Sequence, residues 1–189
     1  MYSERILCAG FGGQGVMSLG KLIAYAGMLD GRHVTWMPSY GPEMRGGTAN
    51  CSVVVADQPV GSPIVTANAT CLIVMNLPSF EKFQQSVSSG GLIIFNTSLI
   101  DRQVERRDVL AQPLAANELA AECANPKAAN MVMLGAYMGL KGAPRLDHVV
   151  QAMKKVFSDG SSTLLNQNMK AVRKGMEAVG KVTASKKAA

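Results

Sequence analysis

The sequence predicts an α/β fold with three layers: an open, mostly parallel sheet with a Rossmann-like βαβ start and a helical C-terminal third. Two observations carry this prediction. Short apolar runs separated by glycine-rich turns fill residues 1–110, which is typical of buried parallel strands. From Asn117 onward the apolar residues recur with helical spacing. The length of 189 residues fits a single domain, which we place at residues 1–180.

The βαβ start is predicted by three consecutive segments. Ile6–Ala9 forms the first strand, an amphipathic helix runs from Val16 to Asp30-Gly31, and residues 33–37 form a second strand that Pro38 closes. The later strands are predicted at residues 48–56, 71–75, 92–95 and, near an edge, 108–110. The later helices are predicted at residues 80–88, with Ser79 as N-cap and Gly90-Gly91 as the end, and at 118–121, 128–140, 147–157 and 166–179.

Two glycine-rich segments follow the first two strands, so both are expected at the same edge of the sheet, where open α/β folds bind ligands. The first segment opens the first helix, whose N-terminal N–H groups and partial positive charge attract anions. The second places a phenol, a carboxylate and a guanidinium between turn-forming glycines. The candidate binding residues of both segments are Gly12, Gly13, Gln14, Gly15, Tyr40, Glu43, Arg45, Gly46 and Gly47.

The first segment also fits two nucleotide-binding patterns. Gly10-x-Gly12-x-x-Gly15 has the spacing of a dinucleotide fingerprint. NAD binding needs an acidic residue after the second strand, but Pro38-Ser39-Tyr40 stands there and Asp30 comes too early. A Walker A loop is excluded, because Leu22 occupies the position of the magnesium-binding hydroxyl.

Each segment has a structural alternative as well. The glycines of the first allow the helix to approach the sheet closely without any ligand. For the second segment, the structural alternative is an ion pair between Glu43 and Arg45 that holds the loop. The functional alternatives are that Arg45 meets an anion, or that the loop packs against the active site of a partner subunit. The interface alternative is favoured.

Composition and charge favour a subunit of a larger assembly. Apolar residues make up 48 % of the chain and charged residues 17 %, a low charge for a free-standing enzyme. Most of the net charge of +6 lies in residues 170–189, and we expect residues 181–189 to form a flexible basic tail. No aromatic residue is interleaved with its lysines, so a nucleic-acid partner is not favoured.

The cysteines and apolar runs indicate a reduced, cytoplasmic protein that does not enter a membrane. The four cysteines include no C-x-x-C pair, which excludes the local spacing of zinc ribbons and ferredoxin-type clusters. No signal peptide is expected before the first strand, and no apolar run reaches the ~20 residues needed to span a membrane.

No catalytic or metal-binding residue is predicted in this chain. His33 precedes a strand and His148 opens a helix, and neither lies near a Cys or Ser nucleophile motif. No two carboxylates have a spacing that indicates acid–base catalysis. The isolated chain is therefore expected to be inactive.

A family resemblance rests on two motifs taken together: Phe11-Gly12-Gly13-Gln14-Gly15 and Ser39-Tyr40-Gly41-Pro42-Glu43-Met44-Arg45-Gly46-Gly47. This pair resembles the gamma subunit of 2-oxoacid:ferredoxin oxidoreductases, and the resemblance covers residues 3–180. Gly61-Ser62-Pro63 is similar to the 2-oxoglutarate and branched-chain members more than to the pyruvate members. An indolepyruvate-type subunit is less favoured, because Tyr40-Gly41-Pro42-Glu43 does not resemble that branch.

The resemblance implies a multi-subunit enzyme that decarboxylates a 2-oxoacid, captures the acyl group as its coenzyme A thioester and passes electrons to ferredoxin. In that family thiamine diphosphate lies between the alpha and beta subunits, and cysteines of other chains hold the 4Fe–4S clusters. The gamma chain is then a non-catalytic module without a cofactor of its own. Its implied partners are the alpha and beta subunits, with a delta subunit as a further candidate. We expect its glycine-rich segments to shape the coenzyme A entry side of the active site.

Two competing hypotheses come from other classes. A free-standing Rossmann-type nucleotide-binding oxidoreductase predicts tight NAD or flavin binding by the isolated chain. A nucleic-acid-binding role through the basic tail predicts binding that weakens steeply as salt rises.

Overall fold

The computed structural model describes residues 1–39, 48–157 and 161–187, and this part of the chain forms one six-stranded sheet surrounded by helices. The strands are β1 (Ser3–Phe11), β2 (His33–Ser39), β3 (Thr48–Ala56), β4 (Ala69–Val74), β5 (Val87–Asn96) and β6 (Leu110–Leu114). The helices are α1 (Val16–Leu29), α2 (Leu77–Phe83), α3 (Ala116–Glu122), α4 (Ala129–Lys141), α5 (Leu146–Val156) and α6 (Ser162–Lys187). The predicted α/β class is confirmed.

The strand order is β2-β3-β1-β4-β5-β6. β1, β4, β5 and β6 pair in parallel, whereas β3 pairs antiparallel with both β1 and β2. β2 therefore runs in the same direction as β1 without touching it. The expected βαβ start has its predicted elements, but its two strands are not neighbours, because β3 fills the space between them along its whole length.

Helices cover the two faces of the sheet unevenly. α1 packs on β1, β2 and β3, and α4 packs on β5 on the same face. α2 packs on β1 and β4 from the other face, where Phe80 joins a second apolar cluster. α5 packs against α1, while α3 and α6 pack against α4. The three predicted layers are present, and the helical C-terminal third is stacked on one side of the sheet.

The crossing of α4 and α6 depends on two glycines. Residues Ala129–Met138 of α4 are all buried, between the sheet and α6. A Cβ atom on Gly135 would overlap the carbonyl oxygen of Val172, and a Cβ atom on Gly175 would overlap that of Val132. Only residues without side chains let the two backbones approach this closely.

The structure corrects the predicted start and end of α2. The N-cap is Asn76 rather than Ser79, because the Asn76 Oδ1 accepts a hydrogen bond from the Ser79 N–H at 2.9 Å. The helix ends at Phe83, and a short 3-10 turn at residues 84–86 leads into β5. Gly90-Gly91 lies inside β5 and does not end a helix.

Smaller corrections concern the edge strands and the C-terminus. Pro38 lies within β2, where an edge strand tolerates its missing N–H group. The sixth strand spans Leu110–Leu114 instead of residues 108–110, and it forms the predicted edge. α6 continues to Lys187, and the division into a domain of residues 1–180 and a tail of 181–189 stays a prediction. None of the helices in the described ranges is long and apolar enough to cross a bilayer.

We expect Gly135→Ala to destabilise the fold by about 1–3 kcal/mol, because the added methyl group forces α4 and α6 apart. Gly175→Ala should act in the same way from the other helix. Urea unfolding of the purified chain, followed by circular dichroism, measures the free energy of unfolding.

The control is Gly180→Ala on α6. A Cβ atom there meets no atom of the described residues within 4 Å, so the higher helix propensity of alanine should leave the stability unchanged or raise it. Equal stability of the Gly135→Ala and Gly180→Ala variants would contradict a close crossing.

Candidate functional site

The two glycine-rich segments are anchored at one edge of the sheet. β1 ends at Phe11 and β2 ends at Ser39, while β3 begins at Thr48. In the strand register Phe11 pairs with Thr48 and Ser39 pairs with Asn50, so these three chain ends lie side by side. The described residues on either side of the second segment therefore lie at the same edge of the sheet as the first segment, as the sequence predicts.

The candidate residues Tyr40, Glu43, Arg45, Gly46 and Gly47 lie outside the described residues. Their roles stay predictions from the sequence. The structure describes the first segment in full, with Gly12, Gly13, Gln14 and Gly15 between β1 and α1.

The first segment turns sharply from β1 into α1. Gly13 has φ of 92° and Gly15 has φ of 75°, a left-handed backbone that favours glycine. The Gln14 N–H closes the turn by donating to the Phe11 carbonyl at 3.2 Å. The turn lines a shallow cleft of about 220 Å³, whose walls are Phe11, Gly12, Gly13, Gly15, Val16, Met17 and Ala49.

The start of α1 is an electropositive backbone surface. Gly15 is the N-cap, no side chain caps the helix, and the first turn contains no acidic residue. The first bond into the helix joins the Leu19 N–H to the Gly15 carbonyl at 3.0 Å. The N–H groups of residues 16–18 precede it and, as in any helix, have no partner within the helix. Such a terminus attracts an anion through its N–H groups and the helix dipole.

Gln14 holds the turn through the oxygen of its side chain. Its Oε1 accepts a hydrogen bond from the Phe11 N–H at 2.6 Å and another from the Asn76 Nδ2 at 3.3 Å. Asn76 is 2 % exposed and also caps α2. The turn after β1 is thereby tied to the helix that follows β4.

A second buried amide holds the other end of the turn. The Asn130 Nδ2 on α4 donates to the Gly15 carbonyl at 3.1 Å, and Asn130 is 7 % exposed. A Cβ atom on Gly15 would overlap this amide. Sequence reasoning missed both Asn76 and Asn130. The available signal was a polar residue beside an apolar run: Asn76 follows one, and Asn130 precedes one.

The histidines are placed in structural positions. His33 is exposed at the start of β2, at the edge opposite the glycine-rich segments. The His148 Nδ1 lies 2.5 Å from the Asp30 Oδ1 and joins α5 to the end of α1. Neither ring lies beside a nucleophile in the described part of the chain.

The donor groups for a metal do not cluster. Within residues 1–39, 48–157 and 161–187, no group of three or more His, Cys, Asp or Glu side chains could hold a metal ion. Cys8, Cys51 and Cys71 are free thiols buried on adjacent strands, and Cys123 is free and partly exposed. Burial raises the pKa of the Cys8 and Cys71 thiols, so both stay protonated as apolar core residues.

The strand order also weighs against a dinucleotide site. In a Rossmann fold the second strand lies next to the first, and its last residue reaches the ribose of NAD. Here β3 separates β2 from β1, so Ser39 lies opposite Ala9 at a distance of two strand spacings, about 10 Å. No acidic residue ends β2.

Comparison with known proteins decides the family. The model of the pyruvate ferredoxin/flavodoxin oxidoreductase family matches residues 5–178. The chain belongs to this family. The match includes the first glycine-rich segment, both edge strands and most of α6.

Two curated relatives differ in how much of their own length this chain covers. VorA, a ketoisovalerate oxidoreductase subunit of Methanothermobacter thermautotrophicus, is 38 % identical over 92 % of this chain, which spans only 36 % of VorA. KorC, a 2-oxoglutarate synthase subunit of Archaeoglobus fulgidus, is 30 % identical, with 96 % of this chain and 91 % of KorC covered. The chain thus spans about a third of VorA and nearly all of KorC.

Solved structures share the fold of this family member. The gamma subunit of a keto/oxoacid ferredoxin oxidoreductase from Geobacter sulfurreducens aligns with a TM-score of 0.77 and 24 % identity over 92 % of this chain and 96 % of that one. A 2-oxoglutarate:ferredoxin oxidoreductase from Magnetococcus marinus aligns with a TM-score of 0.84 and 23 % identity over 96 % of this chain and 32 % of that one. The family match over residues 5–178 and the similarity to KorC do not favour the free-standing nucleotide-binding oxidoreductase.

Gln14→Met should destabilise the chain by about 1 kcal/mol, because it removes the acceptor of the Phe11 and Asn76 hydrogen bonds at similar size. Gln14→Glu keeps an acceptor and should stay close to wild type, helped by a negative charge near the start of α1. Urea unfolding of both variants provides the comparison. Equal stability of the two would mean that Gln14 does not hold the turn.

Proposed function

We propose that this chain is the non-catalytic gamma subunit of a multi-subunit 2-oxoacid:ferredoxin oxidoreductase. The complex oxidatively decarboxylates a 2-oxoacid, forms the acyl-coenzyme A thioester and passes electrons to ferredoxin. The observation that carries the proposal is the family match over residues 5–178, together with a separate subunit, KorC, that this chain covers almost entirely. The proposed partners are the alpha and beta subunits and, as a further candidate, a delta subunit, in the cytoplasm.

The relatives support a substrate of the branched-chain or 2-oxoglutarate type. VorA, named for ketoisovalerate, is 38 % identical, and the KorC of Archaeoglobus fulgidus, named for 2-oxoglutarate, is 30 % identical. PorC, a pyruvate synthase subunit of Methanothermobacter thermautotrophicus, is 25 % identical. This order agrees with the prediction drawn from Gly61-Ser62-Pro63.

The residues of this chain do not fit the cofactors that the family implies. Cys8, Cys51 and Cys71 are packed inside the core between the sheet and its helices, where a 4Fe–4S cluster has no space. Thiamine diphosphate is held through a divalent cation, and the described residues offer no cluster of acidic or histidine ligands. We assign both cofactors to the other subunits.

The part of this chain in the reaction is to bind an anionic portion of coenzyme A. The turn before α1 presents N–H groups without side-chain caps to a cleft whose described lining residues include no acidic side chain. Arg45, in the second segment, is the cation that the sequence adds to this edge. A phosphate of coenzyme A matches both features. Coenzyme A is bound in the solved structure of the Magnetococcus marinus enzyme.

Reconstitution tests the subunit role. A complex of the remaining subunits should reduce a viologen dye with 2-oxoacid and coenzyme A only slowly, and adding this chain should restore the rate by at least about tenfold, since one wall of the coenzyme A site returns. The isolated chain is the negative control. Equal rates with and without the chain would refute the proposal.

Met17→Glu tests the coenzyme A contact in the assembled complex. Met17 lines the cleft at the first turn of α1. A carboxylate there should raise the KM for coenzyme A about fivefold, which is roughly 1 kcal/mol of repulsion, while the KM for the 2-oxoacid stays unchanged. Met17 is partly buried against the core, so glutamate and glutamine both remove that packing, and the comparison of the two variants isolates the charge.

The matched control is Met17→Gln, which has the same size as Met17→Glu and no charge. It should keep the wild-type KM, and Arg45→Gln should raise the KM for coenzyme A as Met17→Glu does. If Met17→Glu and Met17→Gln have the same KM for coenzyme A, the first glycine-rich segment has a scaffold role only.

A further inference from the structure

β2 is an edge strand, and one of its faces carries no helix in the ranges that the structure describes. Its main contacts are with β3 and, through Val34 and Trp36, with α1. Side chains alternate along a strand, so Thr35, Met37 and Ser39 belong to the opposite face. Edge strands of soluble proteins are normally protected by cover, charge or proline. Here Pro38 is the only such protection within β2.

Among the described residues, cover on this face decreases from β3 to β2. Leu7, Ser52 and Met37 form one row across β1, β3 and β2, and their exposed fractions rise from 2 % to 7 % to 42 %. The segment after β3 provides the cover, because the Val65 N–H donates to the Ser52 Oγ at 3.1 Å. That segment does not extend over Met37.

Ile64 enlarges the uncovered area. The Arg5 Nη2 donates to the Ile64 carbonyl at 3.1 Å and fixes its backbone over the sheet, yet Ile64 is 53 % exposed. Met37 is the strand neighbour of Ser52, and Ile64 precedes Val65, so both lie beside the same hydrogen bond. We call Met37, Ser39 and Ile64 the β2 patch.

The chemistry of the β2 patch fits a protein partner. It is uncharged and combines a methionine with a branched apolar side chain. Methionine is enriched, and charge is depleted, at the centre of protein interfaces. The patch also continues toward the candidate site, because β2 ends at Ser39 on the edge that holds the first glycine-rich segment.

The relatives indicate which kind of partner this chain needs. Counterparts of this chain occur within a longer polypeptide, since VorA is only 36 % covered, and also as a separate subunit, since KorC is 91 % covered. In VorA the counterpart of this chain is covalently joined to the rest of the polypeptide. A separate subunit must bind the corresponding partner by noncovalent contact. Such a contact needs an exposed apolar surface on the separate chain.

We propose that the β2 patch docks the subunit that corresponds to the part of VorA outside the match. This inference rests on the proposed function and adds to it the docking face and the partner. A subunit on this face meets β2 and, at the end of β2, the candidate coenzyme A edge.

The test mixes the full chain with the remaining subunits of its complex and measures Kd by biolayer interferometry. Met37→Glu and Ile64→Glu should each weaken binding about 30-fold, because an unpaired charge buried in an interface is strongly unfavourable. Leu110→Glu is the matched control: Leu110 is 68 % exposed on β6, at the other edge of the sheet. It should keep Kd within about twofold of wild type.

Two further measurements guard against misfolding. The three side chains are exposed, so each isolated variant should melt at the wild-type temperature. Hydrogen exchange on the wild-type chain needs no substitution. Assembly should slow exchange at residues 33–39 and 62–65 and leave residues 110–114 unchanged.

Three results would overturn the inference. Wild-type binding by both Met37→Glu and Ile64→Glu, or an equal loss with Leu110→Glu, removes the docking face and leaves the proposed function intact. A self-association of this chain that Met37→Glu abolishes, with assembly unaffected, assigns the patch to a second copy. Failure of the wild-type chain to join the other subunits refutes the proposed function itself.

Discussion

The antiparallel strand β3 sets the geometry on which the candidate site depends. Because it pairs with both β1 and β2, it begins at the edge where those two strands end. The first glycine-rich segment and the described ends of the second are thereby brought to one place. The same strand moves the end of β2 away from β1 and removes the ribose-binding position of a dinucleotide fold. The reversed direction of β3 thus builds the shared edge. It also weighs against dinucleotide binding, which is the commonest function of this glycine pattern.

The turn between β1 and α1 is made rigid by groups that are distant in the sequence. Gln14 bonds Asn76, 62 residues away, and Asn130 bonds Gly15, 115 residues away. Both asparagines are buried, so their hydrogen bonds are shielded from water and hold the helix terminus in place. This organisation suits a site whose contribution is to position a substrate, since backbone N–H groups need no proton transfer to act.

The sequence predicted local structure well and long-range pairing poorly. Residues 48–56 form the predicted strand, and α1 ends at the predicted Asp30-Gly31, because apolar spacing and glycine stops are local signals. The place of β3 between β1 and β2 depends on pairing across the sheet, and no local pattern encodes it. Gly90-Gly91 was misread for a related reason: the glycines lie inside β5 at a register shift against β4, where Gly90 has a φ of 77°, and the pairing on either side continues the strand. The amide contacts of Asn76 and Asn130 were equally out of reach, since they exist only after the sheet and α4 have packed.

The cysteines differ in burial, and this difference allows selective chemical labelling of the chain. Cys8, Cys51 and Cys71 are enclosed in the core, whereas Cys123 is partly exposed directly after α3. A maleimide reagent therefore meets one accessible thiol on the folded protein. A fluorophore or spin label can be attached on the helical side of the sheet without changing a single residue of the native sequence.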